Sequence, residues 1–273
     1  MSTQPQTLRT DSVDAPAFLG AIQQAWSSQQ QPAPPPPRPV EAPAPTESFL
    51  HLRDVPQMPL DSAREAFPML ARDYPADWKD QIRQLRNRLC GAQSDLENAN
   101  DQLQILAFTN MDGTRPRHGT AANLALAFAS LQDTRVLVID ANLQNPTLNS
   151  ALGLPAGPGL CEATRSARPE LPACFRRITG TQLYLLPAGD VATHPMDPLD
   201  LRGLHSLLHS LRSQFDWILI DGPGFQTPAD AIAITMAADG VIMMIEQNQD
   251  SFRQVSRALS QVQGRRMLGA VMY

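Results

Sequence analysis

The chain has 273 residues and a net charge of −5 at neutral pH, with 22 basic and 27 acidic side chains. That balance argues against a protein that coats nucleic acid, and no stretch reaches the roughly 18 apolar residues of a membrane span. The three cysteines lack metal-ligand spacing, which is typical of a reducing cytosol, and the N-terminus lacks the pattern of a signal peptide. We therefore expect a cytoplasmic protein that reaches any membrane through a partner.

Residues 1–60 are predicted to form a disordered tail. Within it, residues 15–26 place four apolar side chains on one face at helical spacing, typical of either a short partner-binding motif or a transient helix. These four residues are Phe18, Leu19, Ile22 and Trp26. Residues 31–45 are rich in proline, which favours an extended polyproline II spacer between this segment and the folded domain.

The stretch Asp77–Leu103 is predicted to be one long helix, because apolar residues recur at helical spacing along it. Asp80, Arg83 and Arg86 stand three residues apart, so they form a stripe along one side of this helix. Such a stripe is typical of a solvated charged face, and an interface with another subunit is the alternative.

From residue 104 onward, short apolar runs alternate with helical patterns. The predicted strands are Ile105–Thr109, Val136–Asp140, Leu183–Pro187, Trp217–Asp221, Val241–Ile245 and Met267–Met272. The predicted helices between them are Thr120–Leu131, Pro198–Ser213, Ala229–Ala237 and Asp250–Gln263. Apolar strands separated by helices indicate an α/β fold, a doubly wound and mostly parallel sheet with helices on both faces, over residues 61–273. Ligands of such sheets bind beyond the carboxyl ends of the strands.

The loop after the first strand of this sheet lies where a phosphate-binding loop of pattern G-x-x-x-x-G-K-[ST] would stand. At its eight positions, Met111 and Pro116 replace the two glycines, Arg117 replaces the lysine and His118 replaces the hydroxyl residue. Proline lacks an N–H donor, and histidine is a poor ligand for Mg²⁺, which prefers oxygen. The order of strand, loop and helix therefore predicts a P-loop NTPase-like fold, and the loop residues predict that its phosphate-binding chemistry has been lost.

Some anion affinity could survive in this degenerate loop. Arg115 and Arg117 supply positive charge, and His118, Gly119 and Thr120 lead into the N-terminus of the following helix. A helix N-terminus with adjacent cations can hold an anion. These five residues are accordingly the candidate cofactor-binding residues, although no cofactor is expected and ATP with Mg²⁺ is the one candidate pair.

Two carboxylates remain at the strand ends. Asp140 closes the run RVLVID and Asp221 closes WILID, so both face the degenerate loop. A carboxylate in that position holds Mg²⁺ or its bound water in phosphoryl-transfer sites. We interpret the pair as a vestigial catalytic site and as the metal ligands if Mg²⁺ is bound at all.

Residues from about 80 to 273 resemble the cytoplasmic domain of bacterial tyrosine kinases (BY-kinases), a family of the MinD/ParA branch of P-loop ATPases that acts in exopolysaccharide export. The resemblance rests on RVLVIDANLQNPTLNSALGL, LYLLPAGDVATHPMDPL and FDWILIDGPGFQTPADAIAITMAADGVIMMI, in the family's order. It also includes the stripe Asp80, Arg83 and Arg86, which is similar to the family's E-x-x-R-x-x-R motif for subunit packing.

The chain departs from the family at its catalytic positions. Asn142 stands where the family has a second aspartate, and asparagine cannot act as a carboxylate base. The C-terminal tyrosine cluster of the family is missing. The resemblance therefore implies a non-catalytic or weakly catalytic regulator or scaffold of exopolysaccharide synthesis and export, and the alternative is a MinD/ParA-type ATPase with an unconventional phosphate loop.

The expected partners follow from the same resemblance. They are inner-membrane proteins of polysaccharide synthesis and export, together with further copies of this chain or a related P-loop subunit. Nucleic acid is not expected as a partner. Recruitment to the inner face of the plasma membrane would then depend on those partners and on the apolar tail segment.

Overall fold

The computed structural model describes residues 50–59, 76–94, 102–111, 119–146, 148, 157–165, 170–191, 200–246, 250, 252–262 and 266–272. Within these ranges the chain forms one eight-stranded sheet flanked by helices. The predicted α/β class is confirmed. No helix of the described residues has the length and apolar character needed to cross a membrane.

The elements follow one another along the chain as predicted, with four short additions. The first half contains β1 (Gln57–Met58), α1 (Ala76–Ser94), β2 (Ile105–Asn110), α2 (Thr120–Ala129), β3 (Val136–Asp140), α3 (Leu160–Ala163) and α4 (Leu171–Cys174). The second half contains β4 (Arg176–Ile178), β5 (Leu183–Leu186), α5 (Leu201–Leu211), β6 (Trp217–Asp221), α6 (Pro228–Ala237), β7 (Gly240–Ile245), α7 (Phe252–Gln261) and β8 (Met267–Met272).

The sheet has the strand order β1-β4-β5-β3-β6-β2-β7-β8. Every neighbouring pair is parallel except β4 and β5, which are antiparallel. All six predicted strands are confirmed within one residue at each end. The elements β1, β4, α3 and α4 were not predicted, because two to four residues are too few to show a periodic pattern.

The folded domain begins earlier than the predicted boundary at residue 60. Gln57 and Met58 pair with β4, and Leu50 and Val55 are buried against the rest of the chain. Residues 50–59 were assigned to the tail because their prolines and polar side chains resemble linker composition. The long-range pairing with β4 places these residues in the folded domain despite their linker-like composition.

Alternate residues of the strands point to opposite faces and build two layers of core. On one face, Leu106 and Phe108 of β2 pack with α1 and α2, where Phe128 stacks on Trp217 with 4.3 Å between ring centroids. On the other face, Ile105 and Ala107 pack with the helices α3 to α6, and α7 covers the neighbouring strand β7. Both faces of the central strands are therefore buried, as a parallel sheet requires.

The predicted helix Asp77–Leu103 is wrong at its C-terminal end. The helix α1 is described from Ala76 to Ser94, and Leu103 lies outside helical structure, fully buried, just before β2. The adjacent Gln104 explains this, since its side-chain amide donates to the backbone carbonyls of Arg212 and Phe215. These contacts hold the chain extended where periodicity alone favoured continuing the helix.

Candidate functional site

The carboxyl ends of β2, β3 and β6 meet at one edge of the sheet. Asp140 is the ladder partner of Asp221, and Asp221 is in turn the partner of Phe108 on its other side. The loops that follow these three strands therefore start next to one another. This is the place at which doubly wound sheets bind their ligands.

Asp140 organises the loop that follows it. Its side chain is fully buried, and its carboxylate accepts hydrogen bonds from the backbone N–H of Asn142 at 3.2 Å and of Leu148 at 2.9 Å. Asn142 is itself buried. This aspartate thus has a structural role that is independent of any metal.

Asp221 is held in a different environment. Burial, reinforced by the neighbouring Asp140 carboxylate, raises the pKa of the Asp221 carboxyl from 3.8 to about 7. Both effects disfavour a second negative charge beside Asp140, although Asp221 itself is half-buried and not enclosed. In the absence of a cation, the Asp221 carboxyl therefore keeps its proton to a higher pH than an ordinary aspartate does.

The loop after Asp221 is fixed against the end of β2. The Thr109 hydroxyl donates to the Pro223 carbonyl at 2.8 Å, and the Phe225 N–H donates to the Asn110 carbonyl at 3.0 Å. Gly222 lies so close to β2 that a Cβ atom there would stand 2.8 Å from the Phe108 carbonyl oxygen. A side chain at that position would push the two loops apart.

Met111 occupies the position of the first glycine of the phosphate-binding motif. Its side chain is 7% exposed and packs in an apolar cluster with residues of β7 and α7. The buried members of this cluster are Met111, Met243, Ile245, Val255 and Ala258. The first residue of the degenerate loop is therefore part of the hydrophobic core.

The remaining candidate cofactor-binding residues divide into two groups. Arg115, Arg117 and His118 lie outside the described residues. Gly119 and Thr120 are half-buried at the start of α2, and Gly119 has a left-handed backbone with φ of 51°. Its carbonyl accepts from both the N–H and the side-chain amide of Asn123, at 2.7 and 3.0 Å.

The predicted interface stripe on α1 is split by the structure. Asp80 and Arg83 form an ion pair of 2.7 Å with both side chains more than half exposed. Arg86 turns inward and donates to the Ala127 carbonyl at 3.1 Å, at the C-terminal end of α2. The two exposed residues are available to a partner, whereas Arg86 joins two helices of the same chain. The tail residues Phe18, Leu19, Ile22 and Trp26 lie outside the described residues.

Two polar clusters were missed by the sequence analysis. At the amino end of the sheet, the Asp239 carboxylate accepts from the backbone N–H groups of Gln104 and Ile105 at 3.0 and 2.7 Å. It also forms a salt bridge with Arg212, which directly follows α5. The only signal was the A-D-G tripeptide that contains Asp239, which pointed to family membership and not to these contacts.

The second cluster supports the loop after β5. Glu162 of α3 accepts from the N–H groups of Gly159 at 2.7 Å and Asp190 at 3.1 Å. Gly189 between them has φ of 89°, a left-handed backbone that favours glycine. The P-A-G segment, residues 187–189, is thus a turn held in place by Glu162. Among the described residues, no group of three or more His, Cys, Asp or Glu side chains could hold a metal ion.

Comparisons with known proteins agree with this geometry. The family described as "Cellulose biosynthesis protein BcsQ" matches residues 103–264. The tyrosine-protein kinase YwqD of Bacillus subtilis is 25% identical over 195 residues, which cover 71% of this chain and 79% of that protein. These matches confirm the resemblance to bacterial tyrosine kinases and support the polysaccharide interpretation over the positioning ATPase.

Two solved structures show the same fold. The kinase domain of the Escherichia coli tyrosine kinase ETK has a TM-score of 0.63 at 23% identity, covering 75% of this chain and 79% of that chain. The septum site-determining protein MinD of Pyrococcus horikoshii, complexed with Mg-ADP, has a TM-score of 0.51 at 22% identity, covering 62% and 69%. Both confirm the predicted P-loop NTPase-like architecture.

Proposed function

The chain belongs to the BcsQ family of cellulose biosynthesis proteins, and from that membership we propose that it is a non-catalytic or weakly catalytic subunit of a bacterial polysaccharide-synthesis assembly. It would act by binding partners through a P-loop-type domain that turns over ATP weakly or not at all. The folded domain would then provide a rigid binding surface for partners and would not need to catalyse a reaction.

The packing of Met111 carries this proposal. In a working loop, the glycine at this position leaves room for the backbone to surround the phosphates. Here the Met111 side chain is buried between β7 and α7. The first residue of the loop is therefore held in the hydrophobic core and is not free to wrap around a phosphate. Pro116, Arg117 and His118 further remove an N–H donor, the lysine charge and the hydroxyl ligand.

The strand-end carboxyls also fit Mg²⁺–ATP poorly. Asp140 is engaged by backbone N–H groups of its own loop, and the raised pKa of Asp221 means that a cation would have to displace a proton from that carboxyl. Phosphoryl transfer depends on a metal that neutralises the developing charge. Weak binding of the metal and altered phosphate contacts together favour a scaffold.

The proposed partner surface includes the exposed ion pair of α1. Asp80 and Arg83 are accessible and of opposite sign, so they can exchange their mutual contact for pairs across an interface with another P-loop subunit. The second proposed class of partner consists of inner-membrane proteins of polysaccharide synthesis and export. The apolar segment at residues 15–26 and the proline-rich spacer would tether the domain to them.

A complementation experiment tests this function. Cells that depend on this chain for polysaccharide output would receive Asp221→Asn, the double variant Asp80→Ala with Arg83→Ala, or the control Arg202→Ala on the exposed start of α5. If the protein acts as a scaffold, polysaccharide output should be normal with Asp221→Asn and with the control. It should be reduced with the α1 double variant. Loss of output with Asp221→Asn alone, at unchanged protein level, would contradict the proposal.

A further inference from the structure

A groove of about 260 Å³ lies between the start of α6 and one face of α7. Its apolar part is formed by Met111, Phe225 and Ala258, and its polar part includes Arg257 and Gln261. The α7 residues that line it stand three or four positions apart and so share one helical face. The groove is therefore half apolar and half polar, with a cation on one side.

One polar atom in the groove lacks a partner among the described residues. The side-chain oxygen Oε1 of Gln261 is buried and accepts no hydrogen bond from any described residue. A buried acceptor without a donor destabilises the protein, because the group has lost its hydrogen bonds to water. An occupant that supplies an N–H group would remove that cost.

The volume of the groove favours side chains over a cofactor. Pockets for small molecules usually enclose about 300–1,000 Å³, and this groove is smaller and open. It suits one or two apolar side chains of a peptide whose backbone meets the glutamine amides.

The positive charge of α7 indicates which charge a bound peptide should carry. Its sequence FRQVSRALSQ contains Arg253 and Arg257 and no acidic residue. Neither arginine forms a salt bridge with a described acidic residue. The occupant should therefore carry carboxylates beside its apolar side chains.

A segment of the same chain has this composition. Residues 11–26 read DSVDAPAFLGAIQQAW, with Asp11 and Asp14 preceding the apolar side chains and no basic residue among them. Residues 27–49 connect this segment to Leu50, where the described domain begins. At about 3.1 Å per residue they could span roughly 70 Å, more than the width of a domain with a radius of gyration near 16 Å.

We propose that residues 11–26 bind in the α6–α7 groove of their own chain, with apolar side chains against Met111 and Phe225 and the carboxylates near Arg253 and Arg257. Because the contact is intramolecular, an effective concentration in the millimolar range lets a small groove hold the segment. The proposal goes beyond the scaffold function, since it assigns the tail a binding site on the domain itself that would compete with the proposed tether to membrane partners.

Hydrogen exchange of the full chain, followed by mass spectrometry, tests this contact. In the wild type, amides of residues 15–26 should exchange at least about tenfold more slowly than in Arg257→Glu, because the variant repels the acidic segment. The charge swap Arg257→Glu with Asp14→Arg should restore the protection. The matched control Arg202→Glu on α5 should leave the protection unchanged, and protection of the β-strands reports that each variant is folded.

Three outcomes would overturn the proposal. The first is unprotected exchange of residues 15–26 in the wild type. The second is protection that Arg257→Glu leaves intact or that the charge swap does not restore. The third is protection that falls on dilution, because that would place the segment in the groove of a second copy.

Discussion

Asp221 of β6 lies directly opposite Asp140 of β3 in the parallel ladder, so two carboxyls share the buried carboxyl edge of the sheet. Burial and the charge of Asp140 both disfavour the ionised form of Asp221. Its pKa of about 7 results from burial first and from the Asp140 charge second.

The first prediction concerns the pH dependence of stability. The Asp221 carboxyl has a pKa of 3.8 when unfolded and about 7 when folded. Between these values the native state binds more protons, so the free energy of unfolding should fall as pH rises from about 4 to 7, by at most about 1.4 kcal/mol per pH unit. Asp221→Asn stays neutral and should remove this slope, making the variant more stable than the wild type at pH 8.

Urea denaturation at several pH values from 4.5 to 8 measures the slope. The control Asp54→Asn changes an exposed carboxylate and should leave the wild-type slope in place. An identical pH dependence in the wild type and in Asp221→Asn would show that this carboxyl is ionised in the folded protein without cost.

The second prediction concerns the partly buried ion pair at the amino end of the sheet. Asp239→Ala would leave Arg212 and the N–H groups of Gln104 and Ile105 without their shared acceptor. Leaving a buried N–H group without its acceptor typically costs about 1–3 kcal/mol, and the partly exposed ion pair adds little to that. We expect a loss of about 3 kcal/mol in the free energy of unfolding.

A matched control for Asp239→Ala is available on α1. Asp80→Ala removes an exposed ion pair with Arg83 and should cost less than about 1 kcal/mol. Chemical denaturation compares the two variants directly. Equal losses for both would mean that Asp239 does not anchor β2 and α5.

The third prediction separates the two arginines of the α1 stripe. Arg86→Ala should lower stability by about 1–2 kcal/mol, because its guanidinium binds the Ala127 carbonyl at the end of α2. Arg83→Ala should leave stability nearly unchanged and weaken association with a partner subunit. Thermal unfolding and sedimentation velocity of both variants check this division, and the reverse pattern would assign Arg86 to the interface.

The fourth prediction concerns Met111. The substitution Met111→Gly restores the glycine of the phosphate-binding motif, yet it removes a side chain from the β7–α7 cluster. Removing a buried methionine costs about 2–5 kcal/mol. We expect a destabilised protein without gain of nucleotide affinity. Unchanged stability with newly acquired ATP binding would show that Met111 only blocks a working loop.

The sequence predicted the central sheet well, because each of its six main strands is an apolar run bounded by turn residues. The positions of Asp140 and Asp221 followed from the same pattern, since both residues end such runs. The sequence could not place Met111 in the core or pair Asp239 with Arg212. Those contacts join segments far apart in the chain, and no local periodicity encodes them. The pairing of Gln57 and Met58 with β4 was missed for the same reason.

Isothermal titration calorimetry of the purified full chain with Mg²⁺–ATP tests the central claim most directly, with Asp140→Asn as the matched variant. The buried Met111 and the altered residues 116–118 predict no binding in the micromolar range for either protein. Micromolar binding by the wild type that disappears in Asp140→Asn would contradict this account and identify the strand-end aspartates as a working nucleotide site.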